Sequence, residues 1–550
     1  MDARGPPGDT LLTRGLPPPD APVTLLAMSR ARPSRHSGHH RVLPRAQSRR
    51  GLPDRPLLAA IPILAALLGI ALFLQKEWAI AGLWGFSLDD SWIHAVFARN
   101  IATGNGYAFN PGETVSGSTG PLYSFLLAAV YALTREMVWS AKVIGIACHL
   151  VAVVQIYRAA EHLERDTEWM PVLAAVMVAV SPPLLWASVS GMEISLYLMF
   201  LCWGLERYLA GKDVAATLLW SLGIWVRPDG IFLVGLSMLG PMSTLWKRAA
   251  VAVAMIVPFF AFNEVLGGSL FPQTVAAKSH LGFHLYVTWS LFREWMAMWG
   301  VPFRIDDQLE HPLLLLPFLL VGIVLMLRRR PALALFAIGL PLAFSLVRDN
   351  SGSHKRYLIP VIPFGILLAM VGLRWIAMRV TPKRAIATFL AVSLACLVWQ
   401  AGLVSKKATV HGWNVQNINM MQRLLGLTAR QATPPGAIIA ASDIGAIEYF
   451  SNRKVVDLMG LVSRPRTLPE NLSYYKPDLL IVIVDWFKTY ARRDSPTSFW
   501  AFYDSDSTHK YTAMTAIELS HNTICAADQM IAFVRQKPGD PPPPLYFHRF

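Results

Sequence analysis

The sequence has few charges and few cysteines for its length. Only 15% of its 550 residues are charged and 54% are hydrophobic, which excludes an ordinary soluble protein and indicates a chain that crosses a membrane several times. Of the four cysteines, three fall inside apolar runs, so their spacing reveals neither a disulfide framework nor a CxxC metal site. Acidic residues are scarce too, 35 against 50 Lys and Arg.

The resulting net charge of +15 does not indicate a nucleic-acid partner. Much of the excess lies in residues 1–56 and in short clusters beside apolar runs, which is the distribution that orients a membrane protein. Residues 1–56 are rich in Pro, Arg, Gly and His and have almost no periodic apolar pattern. They are predicted to form a disordered basic tail.

Apolar runs divide residues 57–403 into about eleven predicted membrane spans. The predicted spans are 57–74, 138–157, 170–187, 192–209, 215–226, 231–245, 249–262, 312–327, 332–347, 357–378 and 385–402. The run Pro121–Thr134 is too short to span, and it is predicted to be an interfacial or re-entrant helix.

Alternation of these spans places every strongly basic cluster on one side. The clusters are the tail and residues 247–248, 328–330 and 379–384. By the positive-inside rule that side is the cytoplasm, although the slightly acidic segment 158–168 argues weakly for the opposite orientation. We therefore predict a protein of the cell (inner or plasma) membrane whose first loop (76–137), later loop 263–311 and whole chain after about residue 403 face outward.

The composition changes near Ser405 to that of an ordinary soluble domain. AIIAA at 437–441, KVVDL at 454–458 and LLIVIVD at 479–485 are typical of buried strands, and 415–431 of a helix. The predicted fold is therefore an α-helical polytopic membrane domain (57–403) followed by a small outer α/β domain (404–537). Residues 538–550, which contain PPPP, are predicted to be a tail.

The segment 86–120 is polar and rich in glycine, between strongly apolar regions. Asp89 and Asp90 precede a helix-like run, 91–103, with apolar residues at helical spacing. One interpretation is an aspartate cap on an amphipathic helix that lies at the membrane interface. The other is a functional pair, because charges this close to a membrane are costly.

Other polar residues without an obvious structural role gather on the side predicted to face outward. Together with the aspartate pair they are Asp89, Asp90, His94, Arg99, Glu193, Arg227, Asp229, Lys278, His354, Lys355 and Arg356. Several cations with several carboxylates at one membrane face suit an anionic phosphate substrate and acid–base chemistry.

Each of these residues also has a structural interpretation. Asp229 fits a Pro-Asp-Gly turn, Glu193 fits the start of a helix, and the basic pair before Tyr357 fits an anchor at the lipid headgroups. Asp90 and His94 lie four residues apart on one helical face, a spacing that also makes them candidate ligands for a divalent metal ion.

The order of motifs resembles that of a known family. LDDSWIHAVFARNIATGNGYAFNPGETVSGSTG is similar to the first outer loop of the C-type membrane glycosyltransferases, in the branch of the actinobacterial cell-wall arabinofuranosyltransferases. SGMEISLYL, VRPDG, FPQTVAAK, KRYLIPVIPF and SDIGAIEYFSNRKVVDLMGLV follow in the family's order, so the resemblance covers about residues 57–465. The turn 117–120 reads Gly-Ser-Thr-Gly, a departure from the family's Gly-Tyr-Thr-Asn-like turn.

The resemblance implies an inverting transferase that takes a sugar, such as arabinofuranose, from a polyprenyl-phosphate carrier and passes it to a glycan, lipid or protein acceptor. On this reading Asp89 is the predicted base, and Asp90 orients the acceptor or holds a metal. Arg227, Lys278 and Arg356 are candidates to bind the departing phosphate. The run Pro121–Thr134 would close the cavity for the prenyl chain.

Three alternatives remain open from the sequence. A transporter or flippase of lipid-linked sugars also needs many spans and buried charges, but no inverted repeat is visible. A non-catalytic scaffold that binds wall polymer is a second. A protein O-mannosyltransferase-like or lipid A aminosugar transferase-like enzyme, with the same donor chemistry and another acceptor, is the third.

Overall fold

A computed structural model of the protein describes residues 55–163, 169–278, 285–303, 309–346, 352–463, 466–493, 500–503, 509–537, 539, 541 and 543–550. The described chain is almost entirely helical up to residue 432 and carries a mixed sheet beyond it. The predicted basic tail, 1–56, lies almost wholly outside the described residues.

The helices of the membrane part are α1 (Arg55–Ala81), α2 (Asp89–Ala102), α3 (Pro121–Thr134), α4 (Met137–Leu163), α5 (Trp169–Ala179), α6 (Pro182–Val189), α7 (Ile194–Leu209), α8 (Asp213–Ile224), α9 (Ile231–Ser237), α10 (Leu245–Gly267), α11 (Gln273–Lys278), α12 (Leu285–Met298), α13 (Leu315–Leu327), α14 (Pro331–Ser345), α15 (Ile362–Val380) and α16 (Ala385–Ile418). The helices α17 (Leu424–Ala432), α18 (Gly445–Ser451) and α19 (Leu468–Tyr475) follow. The strands are β1 (Ala108–Asn110), β2 (Glu113–Thr114), β3 (Ile438–Ala441), β4 (Lys454–Asp457), β5 (Leu479–Val482), β6 (Ala491–Arg493), β7 (Trp500–Tyr503), β8 (Lys510–Glu518), β9 (Gln529–Gln536) and β10 (Tyr546–Arg549).

The predicted spans coincide with helices, but fewer helices are long enough to cross a membrane. Among the described residues, five helices have the length and hydropathy of a span, and a sixth is added if α5 and α6, bent by 54° at their junction, act as one. The predicted count of about eleven is therefore not confirmed. Several apolar helices, such as the 12-residue α8 and the 13-residue α13, fall short of the roughly 20 residues that a bilayer requires.

The last membrane helix does not end where the composition changes. α16 runs for 34 residues and continues through a π-helical turn, Asn419–Arg423, into α17. The predicted domain boundary at residue 404 is thus a change of surroundings within one continuous helix. Neither proline nor a turn sequence interrupts residues 403–418, so the backbone has no reason to break there.

The domain predicted to face outward (404–537), called the outer domain below, has the predicted strands and several more. β3, β4 and β5 confirm the three predicted strands and are parallel, and the sheet continues β4-β3-β5-β9-β8-β7-β6 with antiparallel neighbours after β5. The prediction that residues 538–550 form only a tail is wrong at its end, because β10 pairs with β8 in parallel. Prolines lack the N–H that a sheet needs, but the residues after them can pair.

The helix α2 lies between the two halves of the structure. Trp92, Ala95 and Ala98 pack in the membrane-side core, whereas Ile93 and Phe97 pack against the outer sheet and its helices. The interpretation of α2 as an interfacial amphipathic helix is therefore wrong, because both of its faces are covered by protein. This position joins the first loop to the outer domain.

Candidate active site

The paired aspartates occupy the first turn of α2, where a carboxylate is favoured by the helix dipole. Successive residues of an α-helix point about 100° apart around the axis. Asp89 and Asp90 consequently face different partners, and the structure divides their roles.

Asp89 is bound to the outer domain. The backbone N–H groups of Gly445 and Ala446, in the first turn of α18, donate to its two carboxylate oxygens at 2.8 Å each. A Cβ at residue 445 would lie 2.3 Å from the carbonyl oxygen of Asp89, so this approach requires glycine. Asp89 thus caps α18 from another part of the chain, and it does not line the cavity described below.

The surroundings of Asp89 also alter its acidity. Burial raises the pKa of its carboxyl to about 7, the charge of Asp443 adds to the rise, and the two N–H donors of α18 oppose it. Near neutral pH the carboxyl group is therefore partly ionised and partly protonated.

Asp90 faces a cavity of about 380 Å³. Its Oδ2 accepts from Nη2 of Arg356 at 2.6 Å, and its side chain keeps 26% of its surface exposed. Its charged and hydroxyl-bearing lining residues are Asp90, His94, Ser118, Thr119, Glu193, Arg227, Asp229, Thr274, Arg356 and Tyr357. The apolar wall includes Ile93, Met192, Ile231, Phe271, Val275 and Phe344. One compartment therefore offers both ionic groups and hydrocarbon.

Arg227 is the centre of the deeper charge network. Its Nη1 donates to Oε1 of Glu193 at 2.9 Å and its Nε to Oδ1 of Asp229 at 3.0 Å. Glu193, 1% exposed, stands directly before α7, and Asp229 lies in the Pro-Asp-Gly turn after α8. The turn and helix-start interpretations are thus correct for the backbone, and the same carboxylates fix the guanidinium.

Tyr357 brings the two arginines together. The guanidinium carbons of Arg227 and Arg356 each lie 5.3 Å from its ring centroid. A cation over an aromatic ring gains about 0.5–2 kcal/mol, depending on desolvation, which offsets part of the repulsion between neighbouring cations. Tyr357 was not among the predicted site residues, although it is an aromatic residue directly after the Lys-Arg pair.

His94 is held on both sides of its ring. Nδ1 lies 3.0 Å from Oγ of Ser118 and Nε2 lies 3.1 Å from Oε2 of Glu193. With both nitrogens engaged, His94 and Asp90 do not fit a metal-binding pair in this arrangement, and the described residues contain no group of three or more His, Cys, Asp or Glu side chains suited to a metal. Ser118, in the turn 117–120 that differs from the family's pattern, was also not among the predicted site residues.

Three predicted substrate-binding residues are not placed on this cavity. Arg99 points to the outer domain, where Nη2 lies 2.8 Å from both carboxylate oxygens of Glu448 and Nη1 donates to the carbonyl of Tyr449. His354 stacks on Trp186, with ring centroids 4.3 Å apart, and lines a different cavity. The side chain of Lys278 lies outside the described residues.

The expected role of Pro121–Thr134 also changes. This helix, α3, packs on α2 and supplies Tyr123, whose ring meets that of His94 edge-on at 5.3 Å. None of its residues lines the cavity. It supports the cavity wall through the contact between Tyr123 and His94.

Known proteins are similar to this chain in sequence and in fold. Residues 410–533 match a family model described as a domain of unknown function (DUF8728). In sequence, the chain is 26% identical over 334 residues to the terminal beta-(1->2)-arabinofuranosyltransferase of Mycobacterium tuberculosis, a match that covers 52% of each chain. The chain thus spans about half the length of this relative.

Solved structures show the fold of most of the chain. AglB, the oligosaccharyltransferase of Archaeoglobus fulgidus determined with an inhibitory peptide and a dolichol-phosphate, superposes with a TM-score of 0.53 at 13% identity, covering 82% of this chain and 74% of AglB. ArnT from Cupriavidus metallidurans superposes with a TM-score of 0.51 at 15% identity, covering 86% and 98%. The predicted resemblance to C-type membrane glycosyltransferases is therefore confirmed for the fold.

Proposed function

We propose that this chain, which has the fold of the C-type membrane glycosyltransferases, is an inverting glycosyltransferase. It moves a sugar from a polyprenyl-phosphate donor to a cell-envelope glycan or lipid acceptor at the outer face of the membrane. The observation that carries the proposal is the Asp90–Arg356 ion pair on the wall of a cavity that is also lined by a second arginine and by several apolar side chains. The relative's name supports arabinofuranose as the sugar.

Asp90, and not Asp89, is the proposed base. A base must approach the acceptor hydroxyl within about 2.6–3.2 Å, and Asp90 is the aspartate of the pair that lines the cavity. Both oxygens of Asp89 are already occupied by N–H donors of α18. Asp89 is then a positioning residue that fixes the start of α2.

The reaction is a single displacement. The acceptor O–H gives its proton to the Asp90 carboxylate while the oxygen forms a bond to the anomeric carbon. The bond from that carbon to the phosphate oxygen breaks, and the polyprenyl phosphate leaves with the electron pair. Because the acceptor attacks from the opposite face, the anomeric configuration is inverted. Arg227 and Arg356 stabilise the departing phosphate, and the nearby carboxylates of Glu193 and Asp229 favour positive charge on the sugar ring.

Binding of the donor would activate the base. Without substrate, Arg356 neutralises Asp90 through the 2.6 Å contact. A phosphate competes for the same guanidinium, because arginine binds both anions through its planar fork. The carboxylate then loses part of its stabilising partner and becomes more basic when the donor is in place.

The test is turnover by purified full-length protein in lipid nanodiscs with a panel of polyprenyl-phosphate sugars. Transfer to an octyl glycoside acceptor with inversion at the anomeric carbon supports the proposal. Consumption of none of the donors, or a product that retains the donor configuration, contradicts it.

Orientation has a separate test in intact cells. Gln431 is exposed at the end of α17, and Cys525 is the one native cysteine of the four that is not fully buried. The variant Gln431→Cys should react with an impermeant thiol reagent from outside, above the background of the unmodified protein. Reaction only after lysis would place the outer domain in the cytoplasm.

A further inference from the structure

A second cavity lies beside the first, between the membrane part and the outer domain. It has a volume of about 340 Å³, at the lower end of the roughly 300–1,000 Å³ of ligand cavities. Ser353, His354 and Val410 of the membrane part form one side, and residues 522–525, in the loop between β8 and β9, form the other. None of these residues is charged, in contrast to the wall of the first cavity.

The two cavities share one short segment of chain. Ser353 and His354 line the second cavity, whereas Arg356 and Tyr357 line the first. Two residues span at most about 7 Å, so the walls of the two cavities come within about that distance of each other along this segment. The segment is strained, because His354 and Lys355 have φ of 58° and 53°, a conformation that non-glycine residues rarely adopt.

The loop of the outer domain is held firmly over this cavity. The N–H of Thr523 donates to Oδ1 of Asn417 at 2.8 Å, and its hydroxyl contacts Oδ1 of Asn414 at 2.7 Å. The same Asn414 reaches Nε2 of His354 at 2.6 Å. Two asparagines of α16 therefore link both sides of the cavity: they bind Thr523 of the loop, and Asn414 also binds His354.

One atom in this chain is left without a partner. Nδ1 of His354 is buried and makes no hydrogen bond to any described residue. An unsatisfied buried polar atom costs about 1–3 kcal/mol. Because Nε2 accepts from the amide of Asn414, Nδ1 carries the proton of the neutral ring, and a sugar hydroxyl can accept a hydrogen bond from it.

The second cavity is also close to the paired aspartates. Nε2 of Gln422 lies 3.5 Å from Sγ of Cys525 and donates to Oδ2 of Asp443 at 2.9 Å, and the N–H of Gly445, two residues further along, donates to Asp89. These carboxylates therefore lie near the cavity wall that Cys525 forms.

We propose that the second cavity binds the acceptor, as an uncharged polyhydroxylated chain such as a neutral glycan. This inference rests on the proposed function. Donor and acceptor then meet at Asp90 from the two sides of the segment 353–357, and the outer-domain loop 522–525 contributes to the choice of acceptor.

The first test fills the cavity. Val410→Trp, on α16, should raise the KM for an octyl arabinofuranosyl disaccharide about tenfold or more, while the donor KM and the slow hydrolysis of the donor by water stay within about twofold. Val398→Trp is the matched control. It makes the same change on the same helix, at a side chain that is 68% exposed and does not line the second cavity. An unchanged acceptor KM in a folded Val410→Trp protein overturns the inference.

The second test needs neither turnover nor a stable tryptophan variant. In Ser353→Cys, at an exposed residue of the cavity, the disaccharide should slow maleimide labelling at least about threefold, as expected at a ligand concentration of twice Kd or more. Labelling of Gln431→Cys should not change. Absence of protection overturns the acceptor site even if the wild type transfers sugar, whereas failure of the wild type to consume any donor overturns the proposed function instead.

Discussion

The two aspartates can be separated by making the same change at each. Asp90→Asn keeps the size of the side chain and an oxygen near Arg356 but removes the group that takes the proton. General-base catalysis contributes about 10²–10⁴-fold, which corresponds to about 3–5 kcal/mol at 1.36 kcal/mol per factor of ten. We therefore expect kcat of Asp90→Asn to fall by that factor.

Asp89→Asn should affect stability more than chemistry. An amide has one acceptor oxygen, so one of the two N–H groups of α18 that now donate at 2.8 Å would face an NH₂ group. The unmet donor costs about 1–3 kcal/mol. We expect a lower midpoint of thermal unfolding, with kcat within about tenfold of wild type.

The assay is initial-rate transfer from a radiolabelled donor at saturating acceptor, together with thermal unfolding of the same nanodisc samples. Wild type and both variants are compared at one pH. If Asp89→Asn loses more than about a hundredfold in kcat while Asp90→Asn keeps at least a tenth of it, the assignment of the base from cavity geometry is refuted. The base would then be Asp89, as the sequence suggested.

Three further changes probe the surrounding charges. Arg227→Lys should raise the donor KM about tenfold, because a lysine cannot hold two carboxylates through a planar fork; an unchanged donor KM would remove Arg227 from the phosphate site. Arg99→Ala leaves Glu448, 2% exposed, without its ion-pair partner and should cost about 3–5 kcal/mol of stability with an unchanged donor KM; a selective loss of donor affinity would restore Arg99 to the substrate site. Folding raises the pKa of Asp89 from 3.8 to about 7, so its contribution to stability is complete below about pH 4 and is lost as the pH rises through 7. Hydrogen exchange of α18 between pH 5 and 8, corrected for intrinsic rates, should show this loss in the wild type. The Asp89→Asn variant should not show it.

The cavity residues were found from the sequence because each belongs to a short local pattern. Glu193 follows Ser-Gly-Met, Arg227 and Asp229 share one turn, and Arg356 begins the run before α15. Local patterns place a residue at a helix start or turn, and helix starts at one membrane face are near one another. The structure brings these residues, with Asp90 and His94, to one cavity.

The same reasoning did not predict the partners of Arg99 and Asp89, because those partners are distant in the chain. Arg99 meets Glu448 and Asp89 meets Gly445, both more than 340 residues away. No local pattern distinguishes a cation that binds a substrate phosphate from one that is paired with a carboxylate of another domain. The burial of α2 on both faces escaped prediction for the same reason.

The sequence by itself determined the membrane class, the three parallel strands of the outer domain and the family resemblance, because hydropathy, strand periodicity and motif order are properties of neighbouring residues. Only the tertiary structure decided which aspartate faces the cavity. Asp89 and Asp90 are chemically identical and adjacent, and about 100° of helical rotation sends one to the N-terminus of α18 and the other to Arg356. Their different roles follow from what the folded chain places on each side of α2.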